Sequence, residues 1–263
     1  MQSVRDSAAT TTASSHRKQA GRAPVVPTFS PLYRQIKALI TRSLRDGDWK
    51  PGEAIPSEQM LARRYGVSQG TVRKAIDELA AEHLLVRRQG RGTFVASHNE
   101  ARAQFRFLRL RPDEGEPAQP ESRILECRRL RAPAEIARLL RTRPGETAVL
   151  IRRLLAFANT PTVLDEIWLA GGRFRGLTAE RLSAYRGPMY GLFEAEFGTR
   201  MIRCEERIRA VAADGSVADA LDVPLGHPLL LVDRLSYTYN DVAVEVRRGY
   251  CVTSGFHFFN ELL

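Results

Sequence analysis

The sequence predicts an α+β protein in two parts: a compact helical unit with a short β-hairpin over residues 29–97, and a larger antiparallel sheet with helices over residues 121–263. Three observations carry this. Apolar residues recur at helical spacing up to about residue 82, with capping residues between the runs. Beyond residue 121 they alternate between Gly, Pro and Asn turns, as half-buried strands do. The stretch from Arg123 to Leu169 is also echoed in order by the stretch from Met201 to Tyr250.

Residues 1–28 are rich in Ser, Thr, Ala and basic side chains, with few apolar ones, and are expected to be a disordered tail. Pro31 suits the start of a first helix, in which Ile36, Leu39, Ile40 and Leu44 form an apolar face, and Gly47 suits its end. Pro51-Gly52 fits the centre of a type II turn. Ser57 can cap a second helix, with Glu58 in its first turn and Leu61, Ala62 and Tyr65 facing inward. Gly66 ends that helix, and only Val67 separates it from the next cap, Ser68. A third helix follows from about Gln69 to about Glu82, with Val72, Ala75, Ile76 and Leu79 inward. Leu84-Leu85-Val86 and Thr93-Phe94-Val95 read as two strands joined by the turn Gln89-Gly90-Arg91-Gly92. Residues 98–120 read as a polar, Pro-containing linker whose one apolar feature, Phe105 to Leu110, alternates like an edge strand.

The two echoing stretches share one order of parts. Each has a strand with a cysteine (Cys127, Cys204), a short helix (Ile136–Leu140, Val217–Leu221), a Gly turn (Gly145, Gly226) and a strand reaching Arg153-Leu154 or Arg234-Leu235. A turn at Asn159 or Asn240 and a returning strand complete each half. A pseudo-symmetric antiparallel sheet is the expected result.

The formal net charge is +10, and it is unevenly placed. Residues 1–97 hold 16 Lys and Arg against 8 Asp and Glu, whereas residues 98–263 hold 24 against 22, so a surface for a polyanion belongs to the N-terminal part. No apolar run approaches the ~20 residues needed to span a bilayer, and no secretory signal opens the chain. A cytoplasmic protein with no membrane partner is the expectation. The three cysteines show no Cys-x-x-Cys spacing and the five histidines are scattered, so neither a disulfide framework, a metal site nor a cofactor is expected.

A short turn, a capped second helix and a Gly-containing hairpin together define a winged helix-turn-helix. Its third helix presents Gln69, Thr71, Arg73, Lys74 and Asp77 outward. Ser68, Gln69 and Gly70 sit at its N-terminus, where free N–H groups favour a phosphate. The run Pro56-Ser57-Glu58-Gln59, Leu61-Ala62, Tyr65 through Ala75, Leu79, Leu84-Leu85 and Arg88 through Val95 resembles the GntR family of bacterial regulators over residues 31–96. The resemblance implies a homodimer on palindromic double-stranded DNA. By position, Gln59, Ser68, Gln69, Gly70, Thr71 and Arg73 match the DNA-contacting set; Lys74 lies beside it, and Gln89, Gly90 and Arg91 form the wing tip. Many relatives have Arg where this chain has Gln59 and Gln69. Glutamine fits adenine, so an A·T-richer half-site is expected.

Residues 105–261 resemble the UTRA effector-binding domain of the HutC-type branch, whose fold is similar to chorismate lyase. The carrying residues are Arg153, Asp165-Glu166, Gly187-Pro188-Met189-Tyr190, and Glu245, Arg248 and Tyr250. The resemblance implies a small-molecule effector bound near Arg153, Glu166, Tyr190, Glu245 and Tyr250. Arg153 would meet an anionic group, and Glu166 and Glu245 would accept hydrogen bonds; a plain Arg153–Glu166 ion pair across the hairpin is the alternative. Relatives that bind sugar phosphates tend to have a second Arg at Leu155, Ser at Pro188, an Asp-Arg-Tyr at Ser254-Gly255-Phe256 and a Phe-Ser followed by acidic residues at Phe105-Arg106-Phe107. These departures weaken a clamp for a doubly charged phosphate, and favour a carboxylate or amino-acid-like effector.

No Gly-x-Ser-x-Gly, His-Glu-x-x-His or Gly-rich phosphate loop is present, so an enzyme is not expected. Two other readings stand beside the regulator: an enzyme with a DNA-binding appendage, and an architectural protein that binds DNA without choosing a sequence.

Overall fold

The structure, a computed structural model, describes residues 30–98, 109–116 and 119–260. The expected tail over 1–28 and most of the alternating run from Phe105 lie outside these residues. Helices α1 (Leu32–Asp46), α2 (Glu58–Tyr65) and α3 (Gln69–Ala81) are followed by the hairpin β1 (Leu85–Arg88) and β2 (Gly92–Val95). Ile36, Ile40, Leu61, Val72, Ile76, Leu79 and Val95 close one core. Leu39, expected inside, is instead 43% exposed: it falls at the margin of the buried stripe formed by Ile36, Ile40 and Leu44. Ser57 accepts from the Met60 N–H and Ser68 from the Thr71 N–H, so both expected caps are made. Gly66 stops α2 in the left-handed region at φ 65°, which a side chain would resist.

The second part is a six-stranded antiparallel sheet in the order β4-β5-β6-β9-β8-β7. The first half is β4 (Glu121–Arg131), α4 (Ala134–Leu139), β5 (Thr147–Phe157) and β6 (Thr160–Ala170). The second is β7 (Arg203–Ala212), α7 (Gly215–Leu221), β8 (Pro228–Thr238) and β9 (Val242–Val252). The halves meet where β6 pairs with β9, which realises the repeat. Arg153 and Arg234 are each the seventh residue of their strands. Between the halves run α5 (Ala179–Ala184) and α6 (Met189–Phe197).

The alternation of strand side chains sorts the sheet into two faces. Val149, Ile151, Ile167 and Leu169 pack with Leu182, Leu192 and Phe193 of α5 and α6. Leu150 and Trp168 pack under α4, and Leu154 and Leu164 under α7. A small ribbon, β3 (Leu110–Pro112) with β10 (Phe256–Phe258), closes one end of the first face. Leu110, the last residue of the alternating run, opens β3 of this separate ribbon. His98, the first residue of the expected linker, is buried. Among the described residues, no helix is long and apolar enough to cross a membrane.

Candidate functional site

Two sites stand out. The first is the exposed edge of α3 and its neighbours. Val72, Ala75, Ile76 and Leu79 are buried, while Gln69, Gly70, Arg73, Lys74 and Asp77 are exposed. Gln59, Gln89, Gly90 and Arg91 are exposed as well. Ser68 caps α3 and shares a 2.9 Å hydrogen bond with the Thr71 hydroxyl. Lys74 does not stand clear of the protein: its ammonium lies 4.2 Å from the centre of the Tyr33 ring. In the wing, the Arg88 guanidinium covers Phe94 at 4.4 Å. The turn between the wing strands closes with the Arg91 N–H donating to the Arg88 carbonyl. Gln69 and Arg73 both donate to Glu58, at 3.2 and 3.0 Å.

The second is a cavity of about 560 Å³ between the sheet and the segment from Leu182 to Leu192. Its floor carries Arg153, Asp165, Arg234 and Arg247. Ile124, Leu155, Val163, Val232 and Phe258 supply apolar wall, and Arg109 and Arg186 stand at its margin. Arg153 forms an ion pair with Asp165, its register partner, and Arg247 approaches the same carboxylate at 3.5 Å. Burial alone would raise the Asp165 pKa, but the two guanidiniums outweigh it and hold the carboxyl below the usual range. Arg234 is held by Glu206 at 2.6 Å. Arg247 donates to Glu245 at 3.0 Å and stacks 5.1 Å from the centre of the Tyr190 ring.

Of the effector candidates, Arg153 and Tyr190 line this cavity; Glu166, Glu245 and Tyr250 do not. Glu166 follows Asp165 and so points to the opposite face, where it accepts from the Trp168 indole at 2.7 Å. Asp165, not Glu166, is therefore the partner of Arg153. Tyr250 follows Gly249 onto the same opposite face, among the residues under α7. Glu245 is fully buried, accepting from the Tyr190 hydroxyl at 2.6 Å and Ser236 at 3.0 Å. It holds the cavity wall rather than forming it. Tyr190 has its pKa pushed up to about 12, mainly by burial, so it stays a neutral donor. Sequence reasoning missed Arg234 and Arg247 as cavity residues, and of the pair Asp165-Glu166 it gave the ligand role to the member that faces away. Alternation counted from Arg153 across the paired strands was the available signal.

A buried cluster joins this cavity to the helical unit. His98, on the cavity wall, meets the Tyr190 ring edge-on at 5.6 Å, and its backbone N–H donates to Glu194 at 2.9 Å. Ser97 donates to the same carboxylate at 3.0 Å. Arg200 lies 3.5 Å from Glu194 and donates to the carbonyls of His83 and Leu84, just past the end of α3. A cation is favoured there by the α3 dipole. Burial would raise the Glu194 pKa, yet the His98 bonds and the Arg200 charge hold it below its ordinary value. The hairpin tip at Tyr239 also packs on the helical core, beside Ile202.

Burial raises the pKa of all three thiols, that of Cys251 on the cavity wall to about 12. A reactive thiolate is thereby disfavoured.

Residues 116–257 match the UTRA domain, and residues 32–95 match the bacterial regulatory proteins of the gntR family. The HTH-type transcriptional regulator Rv0792c of Mycobacterium tuberculosis is 33% identical over 228 residues, covering 84% of this chain and 80% of that protein. The HTH-type transcriptional repressor NagR of Bacillus subtilis is 26% identical over 216 residues, covering 82% of this chain and 88% of its own length. Among solved structures, the ligand-binding domain of a GntR-family regulator from Bordetella bronchiseptica is 59% identical, with a TM-score of 0.59, covering 60% of this chain and 98% of that one. These relatives are named for regulating transcription, not for catalysis. With a reading helix exposed at one end and a UTRA domain behind it, this chain belongs to the GntR family of bacterial regulatory proteins and is a DNA-binding regulator of transcription.

Proposed function

We propose that the chain is a repressor that binds a palindromic operator as a homodimer and is released by an organic anion with a carboxylate and an apolar body. One observation carries the effector class: the cavity sets Arg153, Arg234 and Arg247 on its floor beneath apolar walls. Each guanidinium already faces an acid, Asp165, Glu206 or Glu245. Arg109 shares Glu206 with Arg234 at 3.9 Å, so the cations on the lining outnumber the acids that face them, and with exposed Arg186 they favour a net negative ligand. A single carboxylate fits this charge balance better than a doubly charged phosphate, which needs several uncommitted donors. The 59% identity to a solved domain described as ligand-binding supports the placement of the ligand here.

On the DNA side, Gln59, Ser68, Gln69, Gly70, Thr71 and Arg73 present the reading edge, and Gln89, Gly90 and Arg91 the wing tip. Lys74, leaning on Tyr33, serves as a phosphate contact. Glutamines at 59 and 69 favour adenine over guanine in the half-site. The two sites communicate through His98, Glu194 and Arg200. A ligand pressing on His98 and Tyr190 disturbs the carboxylate that seats Arg200 against the end of α3. Its effect on DNA affinity equals its difference in affinity for the two arrangements, on the order of 5- to 150-fold.

The test is a thermal-shift panel of monocarboxylates, amino acids and sugar phosphates. Each hit is then titrated into the complex of the protein with a duplex selected from a random pool. Carboxylates are expected to raise the melting temperature and weaken the DNA complex. Stabilisation by sugar phosphates alone would overturn the effector class, and enrichment of no sequence would overturn the DNA reading.

A further inference from the structure

Glu58 opens α2, and its side chain is only 13% exposed. Three donors from outside α2 converge on it: Gln69 Nε2 at 3.2 Å, Arg73 Nε at 3.0 Å and Arg87 Nη2 at 3.0 Å. Arg87 also donates to Asp77 of α3 at 2.7 Å. One carboxylate thus ties together the start of α2, the first two turns of α3 and the first wing strand. An acid in the first turn of a helix is favoured by the dipole, but that role needs no convergence of three side chains. Beside a reading edge, a carboxylate also repels phosphates and weakens binding to any DNA. Arg73 commits its Nε–H to Glu58, and its side chain remains 59% exposed. The terminal nitrogens of its guanidinium form the fork that suits a guanine edge or a phosphate.

We propose that Glu58 is a positioning residue for sequence readout. It sets the rotamers of Gln69 and Arg73 and the spacing of the wing before DNA arrives. It thereby lowers affinity for DNA in general while raising the preference for one sequence. The proposal rests on the reading that α3 contacts base edges.

The test uses the full chain and two duplexes, one selected by the wild-type protein from a random pool and one of the same length with its sequence scrambled. Glu58→Gln keeps the shape and removes the charge. Its affinity for the selected duplex should fall by roughly tenfold or more, the scale of a lost base contact. Its affinity for the scrambled duplex should hold or rise. A merely structural role would weaken both together. The proposal is overturned if the ratio of the two affinities stays within about twofold of wild type, a change smaller than that of one mismatched base pair. Should Glu58→Gln fail to fold, Glu58→Asp carries the same test, because it keeps the charge but withdraws the carboxylate by one methylene; loss of the ratio supports the proposal and its retention overturns it. If the wild-type protein enriches no sequence, the underlying reading fails, which is a distinct result from an unchanged ratio.

Discussion

The hairpins β5–β6 and β8–β9 are built alike and used differently. Each has two 11-residue strands, and each places an arginine seventh in its first strand. In the first, Arg153 faces an acid, Asp165; in the second, Arg234 faces another arginine, Arg247. The second pair finds its acids outside its own pairing: Glu206 on the edge strand β7, Glu245 two residues before Arg247 on β9, and Asp165 of the first half at 3.5 Å. The tips diverge as well. Tyr239 of the second packs against the helical core, whereas Ala158-Asn159 of the first belongs to no such contact among the described residues. Symmetry supplies the scaffold, and the departures from it supply the charge pattern of the cavity and the connection to the DNA-binding unit.

The comparison breaks most visibly at Asp165. Asp165→Ala leaves Arg153 and Arg247 facing each other in a buried site, with an expected loss of about 3–5 kcal/mol by denaturant unfolding. The pH dependence follows from the lowered pKa of this carboxyl. A folded-state pKa below the unfolded one gives stability that is complete above the unfolded value of about 3.9 and lost as pH falls through the folded value. Asp165→Asn should therefore flatten that part of the acid-unfolding curve. A variant whose curve kept its slope would show that Asp165 carries no such linkage.

A smaller effect lies across the pseudo-axis. A Cβ on Gly249 would stand 3.2 Å from the Asp165 carboxylate. Because two guanidiniums hold that carboxylate in place, it cannot easily yield. Gly249→Ala is expected to cost about 1–3 kcal/mol, as overpacking does; a melting temperature equal to wild type would mean that the ion cluster shifts freely.

The smallest effect sharpens the contrast between the tips. Ala158 and Asn159 both lie at positive φ, 46° and 66°, whereas the second tip meets this demand with Asn240 and Asp241. Alanine resists that region, and Asn tolerates it. Ala158→Asn should add about 0.5–1 kcal/mol of stability in thermal unfolding, without changing DNA affinity. No gain would mean that the first tip relaxes in solution to another turn.

Local features of the fold were legible. The caps Ser57 and Ser68, the Gly66 stop and the spacing of Val72, Ile76 and Leu79 are short-range signals, and the repeat announced the pairing of two similar halves. The cavity was harder to read, because it depends on which strand face turns inward. In the neighbouring pairs Asp165-Glu166 and Gly249-Tyr250, one member of each lines the cavity and the other faces away. The period of two gives the alternation but not its phase. Glu245 shares the phase of Arg247 yet is covered by Tyr190, a burial that only the packed helix α6 determines. Arg200 and Glu194 carry no motif, since their roles come from contacts spanning more than 90 residues of chain.

The seating of Arg200 against His83 and Leu84 fixes the rear of the helix whose front we propose meets DNA. Thirteen residues separate the two ends, a lever arm of about 20 Å. A pivot of about 5° at the anchor swings the tip by nearly 2 Å, more than a hydrogen bond of ~2.9 Å can stretch and survive. On the proposed reading, a tip movement of that size is enough to bring an operator into register or to lose it.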